Sequence, residues 1–152
     1  MEKNKTYLAF YKGKGNWIDK LIRVCTCSPY SHCEIAEMQE DGTFLAYSSS
    51  PRDGGVRMKK LELNPQNWDL IPIQNLDKAR LKSVFKQTQG MAYDYWGAVG
   101  IVLPFVKQKR SKWFCSEWCA NVLGLMNPSQ YSPGQLFEWA FNKVEKILVS
   151  EN

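Results

Sequence analysis

Histidine occurs once in the 152 residues, at position 32, so any proton transfer that needs an imidazole must use that one ring. Long apolar runs are missing too: the longest weakly polar stretch, Trp96 to Val106, is about half of the ~20 residues that a membrane-spanning helix needs. No membrane span is expected. The charged start Met1-Glu2-Lys3-Asn4-Lys5 runs into Tyr7-Leu8-Ala9-Phe10-Tyr11, which is too short and too aromatic for a signal-peptide core. The five cysteines, at 25, 27, 33, 115 and 119, are odd in number and lack the paired spacing of a secreted disulfide framework. Reduced thiols and a cytoplasmic location are the expectation. Gly13 and Gly15 are not followed by Gly-Lys-Ser/Thr, so they mark a turn and not a phosphate loop, and no cofactor is expected. Repeats, low-complexity segments and a domain boundary are absent as well.

What the chain does have is enough apolar material, 44% of residues, to build one core, so residues 1–152 are read as a single domain. A net charge of +5 favours loose attraction to anionic surfaces without identifying a specific nucleic acid.

The pattern along the chain is α+β. Alternation over Thr6–Tyr11 predicts a strand, and Trp17, Ile18, Leu21, Ile22 and Cys25 recur at helical spacing behind Asn16, a suitable N-cap. Ser31–Met38 and Thr43–Ser48 flank Asp41-Gly42 as a β-hairpin, with His32 at the start of its first arm. Val56–Leu61 and Trp68–Ile73 add extended runs, giving a small, largely antiparallel sheet. Helices follow: one through Leu76, Val84 and Thr88 closed by Gly90, one from near Asp94 to Pro104, and one carrying Cys115, Trp118, Cys119, Val122 and Met126. A last helix opens at Ser132-Pro133-Gly134-Gln135. The tail Val144–Val149 either extends it or forms an edge strand.

Cysteine acts as a nucleophile through its thiolate, which a helix N-terminus stabilises by its free amides and dipole. With Ser111 as cap, Cys115 falls in the first helical turn, beside the cationic loop Lys107–Lys112. His32 is the sole ordinary base. The same residues also suit a plain core, because Cys115 and Cys119 lie on one apolar stripe and free cysteine is among the most buried residue types. A zinc site built from Cys25, Cys27, His32 and Cys33 is disfavoured: the paired cysteines are one residue apart, and His32 and Cys33 point to opposite faces of a strand. No metal is expected.

Pro29-Tyr30-Ser31-His32-Cys33-Glu34-Ile35 resembles the Ser-His-x-x-hydrophobic strand of the circularly permuted NlpC/P60 enzymes, and Lys112-Trp113-Phe114-Cys115-Ser116-Glu117-Trp118 resembles their Tyr/Phe-Cys-Ser-Glu helix start. Histidine precedes cysteine, as in that permuted branch with its YiiX-like proteins and lecithin:retinol acyltransferase relatives. Gly90–Gly97 is similar to the family's Gly-x-x-Tyr-Asp segment, and Ser132-Pro133 to its Ser/Thr-Pro step, so the resemblance runs from Leu8 to Leu136.

The resemblance implies a circularly permuted papain-like α+β fold, with a small antiparallel sheet packed against helices. In it Cys115 attacks an acyl carbon, His32 accepts and returns the proton, and the Cys115 N–H serves the oxyanion. It also implies a third residue that orients His32. Relatives carry Glu, His, Asn or Gln on the following strand, where this chain reads Phe44-Leu45-Ala46-Tyr47-Ser48-Ser49. By position Ser48 or Tyr47 takes that role, with Ser48 preferred, and Glu34 on the strand face of His32 is the substitute. Family members include thiol peptidases of cell walls, lipid acyltransferases and protein-deconjugating enzymes. The expected activity is therefore a cysteine hydrolase or acyltransferase of phage or intracellular type, acting on a peptide, lipid or thioester. The competing reading is a non-catalytic binding or inhibitory module in which aromatic residues, such as Trp17, Trp68, Trp113 and Trp139, mainly furnish contacts.

Overall fold

A computed structural model describes residues 5–96 and 111–150. Its centre is a seven-stranded sheet made of β1 (Thr6–Tyr11), β2 (His32–Met38), β3 (Phe44–Ser50), β4 (Gly55–Leu61), β5 (Trp68–Pro72), β6 (Ala92–Tyr93) and β7 (Lys112–Trp113). The strand order is β5-β1-β2-β3-β4-β6-β7, antiparallel throughout except for the parallel β6–β7 pair. The described elements place the chain in the α+β class. Among the described residues the helices α1 (Trp17–Thr26), α2 (Lys78–Thr88), α3 (Cys115–Val122) and α4 (Pro133–Ser150) accompany the sheet.

Leu8, Ala9 and Phe10 are all fully buried, so β1 is covered on both faces. Leu8 and Phe10 join Cys33, Ile35 and Tyr47 in the main core, into which α3 and α4 send Cys115, Trp118, Cys119 and Leu136. Ala9 and Ala36 belong to a smaller cluster on the other face, with Phe44 and Leu63. The register sets His32 opposite Tyr11, Cys33 opposite Phe10 and Glu34 opposite Ala9. Cys33 and Glu34 therefore separate into opposite environments, as the two-residue period of a strand requires.

Local chemistry explains most helix ends. The Asn16 side chain accepts from the N–H groups of Ile18 and Asp19, and the Asp19 carboxylate accepts from the Asn16 N–H at 2.8 Å, a reciprocal cap that starts α1. Ser132 and Gln135 repeat the device at α4, and the tail to Ser150 extends that helix and forms no strand.

Two expectations are corrected around α3. Ser111 does not cap it: Lys112 and Trp113 pair with Ala92 and Tyr93, which keeps the chain extended up to Phe114 and makes Cys115 the first helical residue. The helix also stops before Met126, because Leu123 is its C-cap, Gly124 turns with a φ of +72° and Met126 lies in solvent. The expected helix from Asp94 to Pro104 and the basic stretch Lys107–Arg110 lie for the most part outside the described residues. Among the described residues no helix is long and apolar enough to cross a membrane, and all five cysteines are free.

Gly55 carries the β4–β6 junction. Its φ is +154°, and an added Cβ would collide with the backbone carbonyl of Met91. Gly55→Ala is expected to destabilise the fold by about 1–3 kcal/mol, a drop in the urea midpoint of the full chain. An unchanged midpoint would mean that β6 is not held as described.

Candidate active site

Cys115 begins α3 and is fully buried. Phe114, the N-cap, has no side chain able to accept a hydrogen bond, and its ring packs edge-on against Tyr93. The first intrahelical bond runs from the Trp118 N–H to the Phe114 carbonyl at 3.0 Å, so the amides of the first turn have no partner within the helix. Trp118 anchors the helix through an indole N–H donated to Thr88 Oγ1 at 2.9 Å. The sulfur thus sits at the positive end of a helix that is fixed in the core.

His32 opens β2 and is 7% exposed. The Trp68 ring stands edge-on to it, with 6.3 Å between the ring centres. Nε2 lies 3.1 Å from Glu34 Oε1, whereas Nδ1 is buried without a conventional hydrogen bond. The electrostatics of the ring and of the Cys115 thiol are linked, each shifting the other toward its charged form. Burial opposes a charged imidazole, but the facing Cys115 sulfur and then the Glu34 carboxylate outweigh it and raise His32 well above the usual histidine range. Burial likewise opposes the thiolate, yet hydrogen bonding from Cys33 and the charge of His32 bring Cys115 down. The two directions agree, each group being moved toward its charged form.

Glu34 is 1% exposed, and burial alone would favour its neutral form. Arg57 reverses this, with Nη1 donating to Oε2 and Nη2 to Oε1, each at 2.8 Å, and the carboxyl is held at about 2. Behind it, Arg57 Nε donates to Asp53 at 2.8 Å, and Lys59 reaches Asp53 at 3.0 Å. His32, Glu34, Arg57, Asp53 and Lys59 therefore form a linked row of paired charged groups leading from the core to solvent, with Cys115 beyond its inner end. Such pairing is what makes ionised groups tolerable in an interior.

Of the five residues singled out from the sequence, the structure brings Cys115, His32 and Glu34 together. Ser48 and Tyr47 are turned elsewhere. The Ser48 hydroxyl donates to the Cys33 carbonyl at 2.7 Å. Tyr47 stands opposite Ile35, and directly paired residues share a face. It consequently lies in the main core, edge-on to Phe85, with its hydroxyl donating to Glu37 at 3.4 Å. The contact to the imidazole expected from Ser48 is made by Glu34.

Cys33 is an addition that sequence reasoning did not assign. Burial, followed by hydrogen bonding toward Cys115 and Cys119, pushes its thiol up, so it stays protonated and can donate to the Cys115 sulfur. Arg57 and Asp53 were missed as well. No local pattern marks Arg57, which reaches Glu34 on β2 across the intervening strand β3.

On the His32 side a narrow pocket opens between α1 and the end of β3, lined by Asn16, Asp19, Ile22, Ser31 and Arg52. Arg52 bonds Asp19 at 3.0 Å and covers the Tyr11 ring at 4.9 Å. Asp19 also accepts from the Ser31 hydroxyl at 2.7 Å. Among the described residues no group of three or more His, Cys, Asp or Glu side chains is placed to hold a metal ion. Cys27, one of the cysteines weighed for zinc, is the exposed cap of α1. Comparison with protein-family models and with curated proteins gives no match.

Proposed function

We propose that the protein is a cysteine-dependent hydrolase or acyltransferase on a circularly permuted papain-like fold, with Cys115 as nucleophile, His32 as base and Glu34 as the residue that orients His32. One observation carries the reading. The only imidazole in the chain is coupled to a helix-start thiol while its Nε2 is held by a buried carboxylate. That leaves Nδ1 as the nitrogen for the sulfur.

In this reaction the thiolate attacks the carbonyl carbon of an amide, ester or thioester, forming a C–S bond and moving the carbonyl electron pair onto oxygen. The Cys115 N–H at the start of α3, which has no partner within the helix, would serve the charge that develops there. Collapse of the adduct expels the leaving group, which takes the imidazolium proton. Water or another acceptor then loses a proton to His32 and attacks the acyl-cysteine, and the thiolate departs. The sequence resemblance supports this assignment, and the free cysteines fit a reducing, cytoplasmic setting. Peptide, lipid or thioester substrates suit the chemistry.

Thiol reactivity tests the proposal. Alkylation of Cys115 by iodoacetamide, followed by mass spectrometry, is expected to rise with pH through about 5, far below the ~8.5 of an ordinary thiol. Cys115 should label ahead of Cys119 at neutral pH, and His32→Ala should return its profile toward the ordinary thiol range. Uniformly slow labelling with an ordinary profile would instead leave a non-catalytic module.

A further inference from the structure

We infer that Arg57 is a positioning residue of this site: by pinning both oxygens of Glu34 it holds that carboxylate against His32 Nε2 and so reserves the other ring nitrogen for the Cys115 sulfur. This inference rests on the reading of Cys115 and His32 as nucleophile and base.

The geometry is that of a locked fork. One edge of the guanidinium meets Glu34 with two parallel bonds of 2.8 Å, and Nε meets Asp53 at 2.8 Å. The Arg57 side chain is 16% exposed. Arginine is suited to this task, since its planar donors match a carboxylate in two places and it keeps its charge when buried. Reaching Glu34 requires crossing a strand, because Arg57 lies on β4 and Glu34 on β2. The residue between them is Ser48, paired with Arg57 and fully buried. A small side chain at Ser48 leaves the corridor open. That gives Ser48 a role in the site without contact to the imidazole.

The electrostatic consequence follows from the groups that face each other. Glu34 meets His32 on its own strand and Arg57 from β4, while Ala9 opposite it on β1 is neutral. Asp53 and Lys59 stand behind Arg57. His32 meets Cys115 from α3, and Cys115 in turn faces Cys33 and Tyr93. Without Arg57 the buried Glu34 takes up a proton, and a neutral acid no longer stabilises the imidazolium. The ion pair then survives over a narrower pH range from both ends.

The test compares the full-length wild type with Arg57→Lys and Arg57→Gln. Iodoacetamide alkylation of Cys115 against pH reads the lower limit of the ion pair, and the imidazole ¹⁵N shifts of His32 against pH read the upper. In Arg57→Gln the lower limit is expected to rise, the upper to fall, and alkylation near pH 6 to drop roughly tenfold or more. Arg57→Lys, with the charge but not the fork, should recover part of the loss. Wild-type limits retained in Arg57→Gln overturn the role of Arg57. If Arg57→Gln does not fold, Arg57→Lys decides, and limits and ¹⁵N shifts identical to wild type overturn it. An ordinary thiol profile in the wild type overturns the reading of the site itself, and the inference with it.

Discussion

Cys115→Ala is expected to abolish turnover of any acyl substrate, by on the order of ten-thousand-fold or more, because the covalent step has no substitute once the sulfur is gone. The fold should survive with a modest cost, since alanine leaves only a small gap at a helix start where Phe114 and Trp118 hold the neighbouring positions. A product-resolved screen of peptide, lipid and thioester substrates, run on wild type and Cys115→Ala, gives the measurement and names the substrate class. Turnover unaffected by the substitution would remove Cys115 from the chemistry. His32→Ala should reach a similar loss, since nucleophile and base act as a unit and their effects do not add.

Glu34→Gln is expected to damage both activity and stability. Activity should fall roughly a hundred- to ten-thousand-fold, the range seen when the residue behind a catalytic histidine loses its charge. Stability follows from linkage. The Glu34 carboxyl is held at about 2 in the folded protein, against ~4.3 in an unfolded chain, which corresponds to about 3 kcal/mol. The folded value is the lower one, so this contribution is fully present above the unfolded value and is lost as pH falls through about 2. Urea unfolding should accordingly show a large gap between wild type and Glu34→Gln at pH 7, closing progressively as the solution is acidified below ~4.3. A gap of the same size at every pH would show that the substitution acts through packing alone. Equal midpoints at pH 7 would show that Arg57 and His32 do not depend on Glu34.

The proposed nucleophile and base could be picked out in the sequence because each belonged to a short list. One histidine exists, and only one cysteine opens a helix behind a cationic segment. Glu34 was legible as a substitute because residues two apart on a strand share a face. The preference for Ser48 came from strand position alone, and the hydrogen bond to the Cys33 carbonyl that occupies its hydroxyl depends on a cross-strand approach no local pattern records. Arg57 was hidden for a related reason: it meets Glu34 across an intervening strand, so its role needs the register of β2, β3 and β4 together. The start of α3 was misplaced by a long-range pairing, Lys112–Trp113 with Ala92–Tyr93, which overrode an otherwise suitable cap at Ser111. Where a cap and its helix were neighbours in sequence, as at Asn16, local reading and structure agree.

With Cys115 as thiolate and His32 as imidazolium, as proposed, the row from Cys115 to Lys59 alternates three negative with three positive groups. Seen from a few ångströms away such a row is a chain of opposed dipoles, and its field fades much faster than that of a single ion. The site is consequently quiet toward an approaching molecule, however strongly its members act on one another. Long-range attraction falls to the unbalanced surface charge of +5, which draws anionic partners and is screened beyond ~8 Å at physiological ionic strength. Salt therefore acts on the encounter with the protein, while the groups inside are insulated from it.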